Sequence, residues 1–178
     1  MNFQRNLRHS RFVIPSMLGT ISLAGVLLTV GRALMAGNIR EAQPAPKFVL
    51  KEHGHAVKLA DFKAKALLVC FVATGDEPSH KQLALLNGFV DRYGGTNLTV
   101  LALAIDQRDP DALKKFAEQE HLRYAVHSAD YDLIESFGGL SAVPTTYVID
   151  KDRDIIDKFV GITETNALDA DVQAIMKQ

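Results

Sequence analysis

Few side chains in this sequence are suited to chemistry, and their spacing decides which chemistry is open. There is one cysteine, Cys70. A single thiol excludes an intrachain disulfide, a four-cysteine zinc site and a Cys-x-x-Cys redox pair carried by this chain alone. Cys70 lies inside an apolar run, residues 66–73. A thiol in such a run reads as a buried core residue, because reactive thiols need an electropositive, partly exposed setting. Just beyond it stand Asp76, Glu77, Ser79 and His80. Asp76 and His80 are spaced i, i+4, which on a helix puts a carboxylate and an imidazole on one face, a start towards a divalent-metal site. Two or three ligands do not complete one, and the same residues also read as a solvated, acid-rich helix start. Ser79 and His80 have the residue types of a nucleophile and its base. Adjacent helical positions do not face each other, however, and no Gly-x-Ser-x-Gly turn surrounds the serine. His53 and His55 flank Gly54. They fit the exposed tip of a hairpin, or two ligands of a metal whose others come from elsewhere.

The elements that must position these groups follow from hydrophobic patterning. Residues 48–50 and 56–59 around Gly54 read as a hairpin. Residues 66–73 (ALLVCFVA) are apolar without alternation, which suits a central strand covered on both faces. From Ser79 onward, Leu83, Leu86 and Phe89 recur at helical spacing up to Gly94-Gly95. Residues 98–105 form a second apolar strand, and Asp109-Pro110-Asp111 opens a second helix, with proline placed for a first turn. A short strand over 124–126 and a short helix over 131–137 follow. A hairpin of 145–149 and 155–160 and a last helix over 163–177 close the chain. Alternating apolar strands and amphipathic helices predict a three-layer α/β sandwich with an antiparallel edge.

The 178 residues allow one such domain plus an appendage. Residues 1–46 carry five arginines against Glu41, a net of +4, and the remainder carries −5. The overall charge of −1 gives no argument for nucleic-acid binding. Residues 12–31 contain no charge and, as a helix, span roughly 30 Å, the thickness of a hydrocarbon core. Arg5, Arg8 and Arg11 precede them and predict a cytoplasmic N-terminus over residues 1–11. The expected organisation is that basic segment, a transmembrane signal anchor (or a cleaved signal peptide) over 12–31, a linker over 32–46, and a folded domain over 47–178. For a bacterial source this puts the domain in the periplasm, tethered to the cytoplasmic membrane.

Three segments carry a family resemblance. They are residues 44–50 with Gly54 and residues 59–63; Phe71-Val72-Ala73-Thr74 with the helix after it; and residues 138–150, which include Val143-Pro144-Thr145-Thr146. Together they resemble the thioredoxin-like superfamily, and within it the membrane-tethered TlpA/ResA-type thiol–disulfide oxidoreductases of the redoxin group. The resemblance implies a thioredoxin-like α/β fold with an N-terminal β-hairpin extension. It also implies a cis peptide bond before Pro144. Where the family has Phe-Trp-Ala-Thr-Trp-Cys-Pro-Pro-Cys, this chain has Val72 and Gly75 for the tryptophans, Asp76 and Ser79 for the cysteines, and Glu77-Pro78 between them. Both sulfurs of the dithiol are therefore absent. A helix N-terminus that stabilises a thiolate also suits an aspartate cap, so Asp76 is expected to accept a backbone N–H two or three residues on, with Pro78 in the first turn.

Expected function follows from that departure. A thioredoxin-like domain without its dithiol serves as an interaction or assembly module for a protein partner. Its binding groove is expected at Gly75, Asp76, Glu77, Val143, Pro144 and Thr145, and no cofactor is expected. Two alternatives stay open. One is thiol–disulfide chemistry through Cys70 or a partner's thiols. The other is metal binding through His53, His55, His80 or Asp76.

Overall fold

A computed structural model describes residues 43–52, 55–95 and 97–178. The expected N-terminus, membrane anchor and first part of the linker lie outside the described residues, as do His53 and Gly54. Among the described residues no helix is long and apolar enough to cross a membrane.

In chain order the elements are β1 (Gln43–Pro44), β2 (Val49–Glu52), β3 (His55–Lys58), a 3₁₀ turn (Leu59–Asp61), β4 (Ala66–Val72), α1 (Glu77–Tyr93), β5 (Leu98–Ala104), α2 (Pro110–Gln119), β6 (Val126–Ser128), α3 (Tyr131–Ser136), β7 (Thr145–Ile149), β8 (Asp154–Val160) and α4 (Thr165–Met176). Among the described residues, six strands form one mixed sheet in the order β1-β8-β7-β4-β5-β6, and β2 pairs only with β3. β4, β5 and β6 are parallel, while β7 and β8 add the antiparallel side.

β4 is buried along its whole length. Its alternate residues explain why the run lacks alternation. Leu68, Cys70 and Val72 face a core shared with Leu83 and Leu86 of α1, Leu113 of α2 and Leu168 and Val172 of α4. Leu67, Val69 and Phe71 face a second core shared with Leu133 of α3, Phe137, Tyr147 and residues of the N-terminal hairpin. Both crossovers, β4-α1-β5 and β5-α2-β6, move the same way across the sheet. The right-handed rule therefore sends α1 and α2 to one face, leaving α3 and the hairpin to cover the other.

Three elements depart from the patterns in the sequence. Gln43 and Pro44, at the end of the expected linker, pair with Ile155 and Asp154 as an edge strand, a place that tolerates proline. The third parallel strand starts at Val126 rather than at residue 124, since pairing with β5 begins there. The last helix starts at Thr165, because Thr163 is buried and bonded to α1 instead.

The β7–β8 turn is tied to the chain before β4 through Arg153. That residue sits at φ 71°, in the left-handed region. Its guanidinium donates to the carbonyls of Phe62, Ala64 and Asp150, and its own carbonyl accepts from Ala45 N at 2.8 Å. Hydrogen bonds to a charged group contribute about 1.5–3 kcal/mol each. We expect Arg153→Ala to lower stability in urea unfolding by about 2–4 kcal/mol. Arg153→Gly should cost about 1 kcal/mol less, because glycine accepts positive φ without strain.

Candidate functional site

The site grows from the end of β4. Val72 O accepts from Ile105 N, which keeps β4 and β5 together up to their last residues. The chain then turns through residues 73–76 into α1. Asp106, just after β5, holds that turn. Its carboxylate accepts Thr74 N at 2.8 and 2.9 Å and the Thr74 hydroxyl at 3.0 Å.

Asp76 caps α1 from extended backbone geometry (φ −106°, ψ 118°), with Pro78 in the first turn, as the sequence predicts. Its Oδ2 accepts both Ser79 N, at 2.9 Å, and Ser79 Oγ, at 2.7 Å. Ser79 is fully buried, and its Oγ in turn accepts from Ala73 N at 3.2 Å. The two positions that the resemblance assigns to the dithiol therefore touch, through a hydroxyl–carboxylate hydrogen bond. Glu77 is exposed and pairs with Lys81 at 2.7 Å. The Lys81 hydrogen bond and charge hold its carboxyl below the ordinary value.

His80 and Asp76 are not brought together. The imidazole Nε2 lies 2.9 Å from Thr74 O, and Nδ1 lies 3.0 Å from Glu120 Oε1 at the end of α2. The ring also meets Phe116 edge-on. The two ring nitrogens thus face Thr74 and Glu120, and neither points at Asp76. Among the described residues no group of three His, Cys, Asp or Glu side chains is placed to hold a metal ion. His53 lies outside the described residues.

The second loop of the site joins the first through the sheet. Phe71 pairs with Thr145, so Pro144 stands one step beyond that last pair, level with Val72 at the end of β4, where the 73–76 turn departs. The Val143–Pro144 bond is cis, as the resemblance implies. Pro144 and Thr145 are buried and Val143 is half-buried. Pro144 O accepts from Gly161 N at 2.7 Å. This places Val160 and Ile162, 52% and 49% exposed, beside the loop.

Cys70 is not part of this surface. It is fully buried in β4, opposite Thr146, whose hydroxyl donates to its Sγ at 3.3 Å. Burial pushes the thiol up from 9.0 to about 12, and the Thr146 hydrogen bond only partly offsets this. Thr146 belongs to a buried polar chain that the sequence reading missed. Gln82, fully buried on α1, donates to the hydroxyls of Thr146 and Thr163 and accepts Thr163 N at 2.9 Å. One signal was available. Gln82 occupies the same helical stripe as Ser79, Leu83, Leu86 and Phe89, where an amide needs partners. Asp106 likewise stands at the carboxyl end of a parallel strand, the usual location of functional groups in such sheets.

The model of the AhpC/TSA family matches residues 42–158. The chain belongs to the AhpC/TSA family. Within it, the chain is similar to the protein named thiol-disulfide oxidoreductase ResA from Bacillus thuringiensis subsp. konkukian (strain 97-27). The two are 30% identical over 119 residues, 66% of this chain and 68% of the relative. The protein of the same name from Bacillus subtilis (strain 168) is 24% identical over 94% of both chains. Among solved structures, a thiol:disulfide interchange protein of the thioredoxin family from Chlorobium tepidum TLS superposes with a TM-score of 0.65 at 25% identity, covering 76% of this chain and 97% of that one. This AhpC/TSA family member therefore has a thioredoxin-like α/β fold of the TlpA/ResA type.

Three predictions follow from this geometry. Asp76→Ala removes the cap and leaves the buried Ser79 hydroxyl without its acceptor. It should cost about 1–3 kcal/mol in urea unfolding, whereas Asp76→Asn, which keeps an acceptor oxygen, should cost less than half of that. Cys70 should resist a chromogenic disulfide reagent in the native chain at pH 8 and react in denaturant, since a thiol titrating near 12 is only about one part in ten thousand ionised there. The unfolded thiol ionises near 9 and the folded one near 12. Stability should therefore fall as pH rises through that window, less steeply in Cys70→Ala.

Proposed function

We propose that this chain is a membrane-anchored, thioredoxin-like interaction module that binds a protein partner without thiol chemistry of its own. The basic residues before the uncharged stretch 12–31 support an anchor in the bacterial cytoplasmic membrane, with the folded domain on the periplasmic side. The observation that carries the non-catalytic reading is the pair Asp76–Ser79. Its oxygens meet at 2.7 Å at the helix start, while the one thiol is enclosed in β4. An oxygen pair has no disulfide state, and a thiol that stays protonated is neither nucleophile nor resolving group. In this reading the partner binds at the groove expected from Gly75, Asp76, Glu77, Val143, Pro144 and Thr145. Exposed Val160 and Ile162 extend it with apolar surface that a docked segment would cover.

The names of the relatives favour a second reading, thiol–disulfide exchange through Cys70 or with a partner's thiols. Insulin reduction by dithiothreitol separates the two. With the full chain the rate should equal that of the reagent alone and that of Cys70→Ala. Turnover abolished by Cys70→Ala would establish the second reading. The variant Asp76→Cys with Ser79→Cys should form a reducible disulfide, because the native side chains already meet.

A further inference from the structure

A second surface lies away from the Pro144 loop. Among the described residues the six-stranded sheet ends at β6, and the outer edge of that three-residue strand has no neighbouring strand. β2 comes up against β6 without pairing to it. Residues of β2, β6, α2 and α3 line a cleft of about 650 Å³. Its apolar lining includes Leu50, Leu113, Val126 and Leu133, and Val49 stands 58% exposed at its side.

The charges around the cleft are uneven. Lys47, Arg108 and Lys114 line it and are exposed, and none has an ion-pair partner among the described residues. The acids there are Asp130 and Asp132, and Asp130 is engaged as the cap of α3, accepting Leu133 N at 2.8 Å. Three cations without an ion-pair partner among the described residues collect at one cleft in a region, residues 47–178, that carries a net −5. An open strand edge supplies backbone donors and acceptors to an extended chain, and alternate side chains of that chain fall into the cleft and out to its rim.

We propose that this cleft is a docking site for an extended segment of a partner protein, in which apolar residues alternate with acidic ones. The segment adds as a strand to β6. Its apolar side chains enter the cleft, and its carboxylates meet Lys47, Arg108 and Lys114. The chain's own residues 1–42 do not fit this role, because they carry a net +4.

Selection from a random peptide display library on the full chain tests the assignment, followed by fluorescence anisotropy with the enriched peptides. Enriched peptides should alternate apolar and acidic residues and bind saturably, and their binding should weaken as salt rises. Arg108→Glu with Lys114→Glu should weaken binding at least tenfold. The charge-matched control Lys151→Glu with Lys158→Glu, at the opposite side of the sheet, should not. Arg108→Ala with Lys114→Ala guards against misfolding of the reversed variant and should weaken binding by a smaller factor. The proposal is overturned by the absence of enrichment, by enrichment of neutral or basic peptides, or by binding that the cleft variants leave intact. A salt-dependent dimer of the chain that the reversal abolishes also overturns it, and assigns the cleft to a second copy. None of these outcomes bears on the Asp76–Ser79 pair, which the insulin assay tests separately.

Discussion

The contact between Asp76 and Ser79 governs the end of the molecule where β4 passes into α1. One carboxylate oxygen receives both the backbone N–H and the hydroxyl of Ser79. The same hydroxyl oxygen receives the N–H of Ala73 from the strand end. Strand, turn and helix are thereby joined through two side chains, and the first turn of the helix is satisfied where its N–H groups would otherwise lack partners. A hydrogen bond of this kind holds the two positions together and opens or closes without any transfer of electrons. The bond before Pro144, on the neighbouring loop, is cis.

Around that junction the buried polar groups are connected to one another. Gln82 reaches from α1 to Thr146 on β7 and to Thr163 before α4, and Thr146 donates onward to the Cys70 sulfur. A buried amide left unpaired costs more than its hydrogen bonds return, so the three elements are held in one mutual arrangement. Thr74 is fixed from the other side by Asp106, and its carbonyl lies beside His80. The turn that presents Gly75 and Asp76 is thus anchored to β5, α1 and α2 together. Cys70 takes part only as an acceptor inside the core, in keeping with a thiol held protonated.

Local chemistry was readable from the chain because its causes are local. The apolar run 66–73 needed two covered faces, and the two cores on either side of β4 supply them. Asp76 followed by Glu77 and Pro78 spelled a helix start, and the cap bond to Ser79 N realises it. The third parallel strand was misplaced by two residues, since a short, half-exposed segment carries too little alternation to set its own register. Gln43 and Pro44 read as linker because a two-residue strand has no pattern of its own and exists only by pairing with β8.

The sequence by itself determined that no intrachain dithiol exists, that Cys70 sits in a central strand, and that an aspartate caps the helix behind it. Each of these depends on residue type or on neighbours within one turn. Only the tertiary structure decided what Gln82, His80 and Asp106 touch, and that Lys47, Arg108 and Lys114 gather at one cleft. These contacts join residues dozens of positions apart, and their geometry is set by how helices pack on a twisted sheet rather than by any spacing along the chain.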